Sequence, residues 1–201
     1  MVLGLTSFLA AQTPGMPCID QVNISVDASC TATISPATMQ PGVPSGISVG
    51  IATGVFPPAA LSGGSIINGV YTGPSITINL SLVPTFVSKG KVGPIKVSVF
   101  DGSGNSCWGS ATIEDKLPPV ISDIPDQTVM CIVLSDAKGN PDTSITGAPS
   151  TAGTCSGFVS LDYRDVTSVL TCSPTNNIVK TIVRTFYVTN KNGVSASSVQ
   201  N

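Results

Sequence analysis

The alternation of apolar and polar residues in GPIKVSVFDGSGNSCWGSATIEDKLPP, residues 93–119, constrains the fold more than any other feature of the chain. Residues 95–99 follow the period of a strand with one buried face. Residues 101–105 are the Asp, Gly, Ser and Asn of a turn, and residues 107–113 run back as a second strand, which predicts a β-hairpin. Because the double proline that ends the stretch cannot continue a central strand, we place the seam between two β domains there.

The composition extends this prediction to the whole chain of 201 residues, of which 10% are charged and 41% hydrophobic. The 20 glycines and 16 prolines are scattered, and no stretch carries a sustained helical period. Such a composition is typical of many short strands joined by turns. The predicted fold class is all-β, with two immunoglobulin-like β-sandwich domains in tandem and an extended N-terminal arm. The predicted bounds are 1–17 for the arm, 18–115 for the first domain and 116–201 for the second.

The hairpin recurs near the end of the chain, which favours two homologous modules over one large sandwich. Residues 97–111 and 184–200 share a strand, an Asp/Asn-x-x-Gly turn and a return strand of small residues. In this correspondence Asp101 matches Asn190, and Gly104 matches Gly193.

Six cysteines indicate disulfides and an oxidising compartment, and hence a secreted or cell-surface protein. They are Cys18, Cys30, Cys107, Cys131, Cys155 and Cys172. No CxxC pair is present, so a zinc or thioredoxin-like site lacks its spacing. Six cysteines allow 15 pairings, so the connectivity stays open. Since three precede the proline seam and three follow it, we expect a bridge across the seam or between chains.

The first residues, MVLGLTSFLAAQTPG, allow two interpretations. They resemble the end of a secretory signal, although the positive n-region is absent and the apolar run is too short to span a bilayer. Alternatively, they form a structural arm that adds as a strand to the open sheet edge of another copy. The apolar side chains that would fill slots on that copy are Leu3, Leu5, Phe8 and Leu9.

Several function classes lack the residues that they need. A net charge of −2 without a basic cluster argues against nucleic-acid binding. The chain contains no histidine, which removes the usual catalytic base and the commonest metal ligand. It has neither a GxSxG motif nor a phosphate-binding glycine loop. We therefore expect no enzyme activity and no resident cofactor.

The second half resembles an HYR-type (hyalin repeat) immunoglobulin-like module, on the pieces PPVISDIPDQTVMC, Thr-Gly-x-Pro at 146–149 and IVRTFYVTNKNGVSASSVQ. In the last segment the matching residues are Arg184, Thr185, Phe186, Gly193 and Gln200. Asn192 and Ser198 stand where the family usually has cysteines, so one family disulfide is missing. The first half is similar to modules that precede such repeats in very large secreted bacterial proteins. The resemblance implies an extracellular, non-catalytic adhesion or surface-structure role.

Polar residues offer few ligand sites. Asp101, Ser103 and Asn105 alternate like part of a Ca²⁺ loop, but one carboxylate is too few for a tight site and a plain turn is favoured. Asp162 and Asp165 would face opposite sides of a strand, which predicts two solvated carboxylates rather than a catalytic pair. Asn23 and Asn79 lie in N-glycosylation sequons.

The single tryptophan, Trp108, separates the two functional hypotheses. Core packing of Trp108 against a disulfide is the interpretation that a sandwich favours, and a surface platform for a sugar ring is its alternative. The first hypothesis is a non-enzymatic extracellular structural protein that assembles head to tail with itself into a filament or surface layer. The second is a monomeric adhesion or glycan-binding module, whose partners would be glycans.

Overall fold

The structure, a computed structural model, describes residues 17–43, 46–129, 140–152, 155–169 and 180–201. In chain order the strands are β1 Gln21–Ser25, β2 Thr31–Ile34, β3 Ser48–Ala52, β4 Leu61–Ser62, β5 Ser65–Ile67, β6 Val70–Gly73, β7 Ile76–Asn79, β8 Lys91–Phe100, β9 Ser106–Glu114, β10 Val120–Ile121, β11 Thr151–Ala152, β12 Phe158–Val169, β13 Lys180–Asn190 and β14 Ser195–Gln200. The helices are α1 Pro36–Met39, α2 Pro84–Lys89 and α3 Thr143–Thr146, with 3₁₀ helices at Pro58–Ala60 and Leu80–Leu82.

The strands form four sheets within the described ranges. A six-stranded sheet has the order β1-β9-β8-β3-β6-β5, and two three-stranded sheets have the orders β2-β7-β4 and β12-β13-β14. A two-stranded sheet joins β10 and β11. The registers that define β3 and its neighbours, the β5–β6 pair, and the β12–β13–β14 sheet are all antiparallel. Short turns connect β5 to β6 and β13 to β14, whereas β3 pairs with two strands that are distant from it in sequence.

The all-β class is confirmed, and the sheets that contain β8 and β7 each bury one face, as an immunoglobulin-like sandwich requires. In β8, Ile95, Val97 and Val99 are buried while Lys96 between them is exposed. In β7, Ile76 is fully buried and its neighbour Thr77 is only half-buried.

The described residues fall into two compact units. Those within the ranges 1–22, 33–77 and 94–111 form unit 1, and those within 23–32, 78–93 and 112–201 form unit 2. The core of unit 1 includes Val49, Ile51 and Met39, and that of unit 2 includes Phe86, Phe186 and Val188. The tandem domains 18–115 and 116–201 remain a prediction.

The sequence alone further predicts a weak strand over residues 65–71, a basic turn at 88–92 and two short strands at 158–163 and 166–170, and the observed elements differ from all three. The weak strand expected over residues 65–71 is a hairpin, in which Asn68 and Gly69 both have positive φ between β5 and β6. The basic turn expected at 88–92 is preceded by α2, which Pro84 begins and Gly90 caps in the left-handed conformation. The two short strands expected at 158–163 and 166–170 are one strand, β12.

Some predicted features lie outside the described residues: the arm side chains Leu3, Leu5, Phe8 and Leu9, and the cysteines Cys131 and Cys172. In the part of the chain that is described, no helix is long and apolar enough to cross a membrane.

Candidate functional site

The first of the two matched turns connects β8 to β9. The backbone N–H of Asp101 donates to the carbonyl of Asn105 at 3.0 Å, and Gly104 takes a φ of 90°. One carboxylate oxygen of Asp101 accepts the backbone N–H groups of Ser103 (2.9 Å) and Asn105 (2.8 Å), and the other accepts the Asn105 amide at 2.7 Å. These bonds hold the pKa of Asp101 below its ordinary value, the Asn105 side chain contributing most.

This turn brings the three predicted calcium ligands together, but it gives a reason for their spacing that needs no ion. Both oxygens of Asp101 already accept hydrogen bonds from the turn itself. Among the described residues no group of three or more acidic or cysteine side chains could hold a metal ion. The calcium site therefore stays a prediction.

The second matched turn connects β13 to β14 and repeats the bonds that the first turn makes with backbone N–H groups, but not the Asn105 side-chain bond, because Val194 stands at the equivalent position. The N–H of Asn190 donates to the carbonyl of Val194 at 2.9 Å, and Gly193 has a φ of 84°. The Asn190 side-chain oxygen accepts the N–H groups of Asn192 (3.0 Å) and Val194 (2.9 Å). The correspondence of Asp101 with Asn190 and of Gly104 with Gly193 therefore holds in the structure.

Unlike the first turn, the second is docked on Asp115, the residue just after β9. The Asn190 amide donates to the carbonyls of Asp115 (3.4 Å) and Leu117 (3.0 Å), and the Asn192 amide donates to Asp115 at 3.1 Å. The Asp115 carboxylate accepts both the N–H (3.0 Å) and the hydroxyl (2.7 Å) of Ser156. We call Asp115, Ser156, Asn190 and Asn192 the Asp115 clasp.

The C-terminal end of α2 completes the surroundings of the clasp. The N–H of Asp115 donates to the carbonyl of Gly90 at 2.8 Å, and the Lys191 ammonium donates to the carbonyl of Val87 at 2.9 Å. A Cβ on Gly90 would lie 3.0 Å from the backbone nitrogen of Asn192, and its φ of 72° already disfavours a side chain. Glycine at position 90 thus permits the close approach of the turn.

Two disulfides are formed, Cys18–Cys107 in unit 1 and Cys30–Cys155 in unit 2. The second bond joins residues on either side of the proline pair in sequence, as the odd count on each side leads one to expect. Cys155 immediately precedes Ser156, so this disulfide fixes the segment that supplies the clasp's hydroxyl. Disulfides of this kind indicate an oxidising compartment.

A second buried polar cluster centres on Arg184, and the sequence reasoning missed it. The guanidinium makes a two-pronged ion pair with Asp165 at 2.8 Å for each bond, and the Asp165 side chain is 3% exposed. The guanidinium also donates to the Thr146 hydroxyl (3.0 Å) and lies over the Tyr163 ring. The expectation that Asp165 is solvated is therefore wrong, although Asp162 is exposed and lies on the opposite face of β12.

The position of Asp165 relative to Arg184 could not be read from spacing, because the cross-strand register sets it. Asp165 lies directly opposite Arg184 in the β12–β13 pair. The charges of Asp165 and Arg184 neutralise each other in a structural ion pair. Asp165 is therefore not available to act with Asp162 as a catalytic pair.

Trp108 lies on the solvent face of β9 and is 64% exposed, so the prediction of core packing is wrong. Gly109, Ala111 and Ile113 take the buried face of this strand, and the period of two places Trp108 on the other face. The Lys96 ammonium lies 4.8 Å from the centre of the indole ring.

The two sequon asparagines occupy different settings. Asn23 is exposed in β1, whereas Asn79 ends β7 and accepts the N–H of Ser81 at 3.1 Å. Their glycosylation stays a prediction.

Comparisons with known proteins find distant structural likeness alone. No protein-family model matches the chain, and no curated protein matches it. Extracellular cadherin domains 1–4 of protocadherin gamma B7 match over 90% of this chain and 47% of theirs, at 13% identity and a TM-score of 0.27. A protocadherin gammaB7 EC3-6 cis-dimer structure matches over 90% of this chain and 44% of its own, at 14% identity and a TM-score of 0.27. The chain thus spans less than half of each, and the hyalin-repeat resemblance stays a prediction.

Proposed function

We propose that the protein is a non-enzymatic extracellular structural subunit that assembles head to tail with copies of itself into a filament or surface layer. The observation that carries the structural role is the bracing of unit 2 by the Cys30–Cys155 disulfide and the Asp115 clasp. Together they join segments separated by as many as 125 residues in sequence. The clasp fixes the segment that leads from Asp115 into the proline pair at 118–119. A segment that is fixed in this way resists extension under load better than a solvated linker does.

The fate of the buried polar groups supports a structural rather than a catalytic role. Asp115 is completely buried, and its carboxylate is taken up by Ser156 and by the N–H of Leu117. Asp165 is taken up by Arg184 and by the amide of Asn140. Carboxylates held in fixed pairs are not poised to exchange protons with a substrate.

Assembly would proceed by strand addition of the N-terminal arm, residues 1–17, to a sheet edge of the next copy. Residues 1–16 carry no charged side chain, so a strand formed by them could lie against an apolar edge. Cys18, which follows, is bonded to Cys107 of β9, and the N–H of Ile19 donates to the carbonyl of Met39. The pull on an engaged arm would therefore pass directly into the sheet of unit 1.

Negative-stain electron microscopy of the native protein, with and without residues 1–17, tests this proposal. We expect regular fibres from the full chain and folded monomers from the truncated one. Circular dichroism would verify that the truncated chain keeps its β structure. Dispersed full-length monomers, or fibres that persist after truncation, would refute strand addition by the arm.

The exposure of Trp108 favours a second candidate function, a glycan-binding adhesion module. An indole that is 64% exposed presents an apolar ring on which a pyranose could stack, and Lys96 beside it could pair with an acidic sugar. A glycan array of the native protein against Trp108→Ala tests this candidate. The matched control is Tyr187→Ala, which removes another exposed aromatic side chain, 42% exposed on β13. Signals that Trp108→Ala leaves unchanged would eliminate the candidate.

A further inference from the structure

The hairpin β5–β6 ends the six-stranded sheet opposite β1. Asn68 (φ 49°) and Gly69 (φ 76°) form a two-residue turn of the type that matches strand twist. Ile67 pairs with Val70 across this turn, and Ile66 pairs with Tyr71. Since the residues that flank a two-residue turn form the hydrogen-bonded pair, the N–H and C=O of Ile66 point away from β6.

This outer edge has the features of a strand that accepts another strand. Ile66 and Ile67 are 58% and 55% exposed, on opposite faces of the sheet. β5, Ser-Ile-Ile, is short for an edge strand, but it has none of the lysine, proline or bulge that commonly protects an edge from pairing. In the described part of the chain, β5 pairs with β6 alone. An incoming strand would find a free donor, a free acceptor and two apolar side chains to cover.

We infer that β5 is the acceptor edge for the N-terminal arm of a second copy, an inference that rests on the proposed function. The arm precedes β1, and β1 and β5 are the two opposite edges of one sheet. Six strands spaced about 4.8 Å apart separate these edges by roughly 24 Å. A donor at one edge and an acceptor at the other make a heterologous contact, which continues from copy to copy rather than closing as a symmetric dimer.

Substitutions at Ile66 in the full-length protein separate the edge from the arm. Ile66→Pro removes the N–H that points away from β6, so no hydrogen bond to β6 is lost. Proline is tolerated at an edge position of this kind. Ile66→Thr, the matched control, keeps both the N–H and the β-branch. We expect Ile66→Pro to abolish fibres in electron micrographs and Ile66→Thr to retain them. Ile67→Lys, which places a charge on the same edge, should also abolish fibres and decides the matter if Ile66→Pro does not fold.

Mixing two variants that cannot assemble alone tests whether the arm of one copy binds β5 of another. Full-length Ile66→Pro retains a donor arm and lacks an acceptor, whereas the chain without residues 1–17 retains the acceptor and lacks the donor. Size-exclusion chromatography with light scattering should show each alone as a monomer and their mixture as a 1:1 dimer. If Ile66→Pro and Ile67→Lys both form fibres while the chain without residues 1–17 does not, the assignment of β5 as acceptor is wrong and the proposed function still stands. Fibres formed by the truncated chain would overturn the proposed function itself.

Discussion

The turn at residues 101–105 and the turn at residues 190–194 share one hydrogen-bond pattern, yet their surroundings are opposite. In the first, residues 102–105 are all exposed and the turn bonds to itself. In the second, Asn190 is 1% exposed and its amide bonds to two carbonyls on the far side of the proline pair in sequence. The same turn conformation is therefore exposed to solvent in unit 1 and docked on Asp115 in unit 2.

The residue that opens each turn differs in the way that these surroundings require. An oxygen that accepts two backbone N–H groups closes the turn, and both Asp and Asn supply it. Only Asn can also donate, and a neutral amide is cheaper to bury than a carboxylate. Asp is suited to the exposed copy, because water solvates its charge. The Asp-to-Asn exchange, rather than the turn itself, therefore allows docking.

The largest expected effect comes from removing the disulfide beside the docked turn. Replacing both Cys30 and Cys155 with Ala should lower the free energy of unfolding by about 3–5 kcal/mol, because the bond closes a long loop. It should also make the segment that carries Ser156 more mobile, so that hydrogen exchange in the second turn becomes as fast as in the first. Guanidinium unfolding and hydrogen exchange at the N–H groups of Val194 and Asn105 measure these effects.

The paired control removes Cys18 and Cys107, which are 89 residues apart. A comparable loss of stability is expected without faster exchange at Val194. If Val194 exchanges no faster after loss of Cys30–Cys155, the docked turn does not depend on that bond.

The next effect in size tests the exchange of Asp for Asn directly. Asn190→Asp keeps the acceptor that closes the turn but loses both donated bonds and buries a charge. We expect a loss of roughly 2–4 kcal/mol at neutral pH. The reciprocal change, Asp101→Asn, should leave the free energy of unfolding at neutral pH almost unchanged, as is usual for surface sites. Equal losses from the two variants in guanidinium unfolding would show that docking does not distinguish the turns.

The repeat of these turns was predictable from the sequence, but their docking was not. The turn chemistry and the period of two are local signals, which is why Asp101 could be matched to Asn190. The partners of Asn190 lie 73 and 75 residues away, and no local pattern encodes such pairs. The ion pair of Asp165 with Arg184 likewise depends on the register between two strands.

For two other wrong predictions, the sequence does contain the signal that would have corrected them. Counting by twos back from the buried Ile113 puts Trp108 on the solvent face, although the preference of tryptophan for sandwich cores outweighed this count. Asn68-Gly69 is a strong hairpin signal that the apolar residues on both sides obscured.

A smaller effect is expected at Ser156, the clasp residue that bonds to Asp115 rather than to the turn. Ser156→Ala removes the 2.7 Å hydroxyl bond but leaves the backbone N–H bond to the same carboxylate. The free energy of unfolding should fall by about 1–2 kcal/mol. Ser103→Ala in the exposed turn is the matched control, since there the backbone N–H is the group that bonds to Asp101. A loss at position 103 as large as that at 156, measured by guanidinium unfolding, would contradict the distinction between the turns.

The smallest effect concerns the charge that the exposed turn retains. Folding lowers the pKa of Asp101, chiefly through the Asn105 side chain, so the folded carboxylate binds protons less readily than the unfolded one. The contribution of Asp101 to stability is therefore complete above its unfolded pKa and is lost as the pH falls through its lower folded pKa. Asp101→Asn cannot titrate, so the native protein should lose stability relative to this variant in that acid window. Unfolding of both proteins across the window, with an NMR titration of the Asp101 carboxyl group, measures the difference. A difference in stability that stays constant with pH would mean that the turn bonds do not favour the charged form, and the reason given for aspartate in the exposed copy would fail.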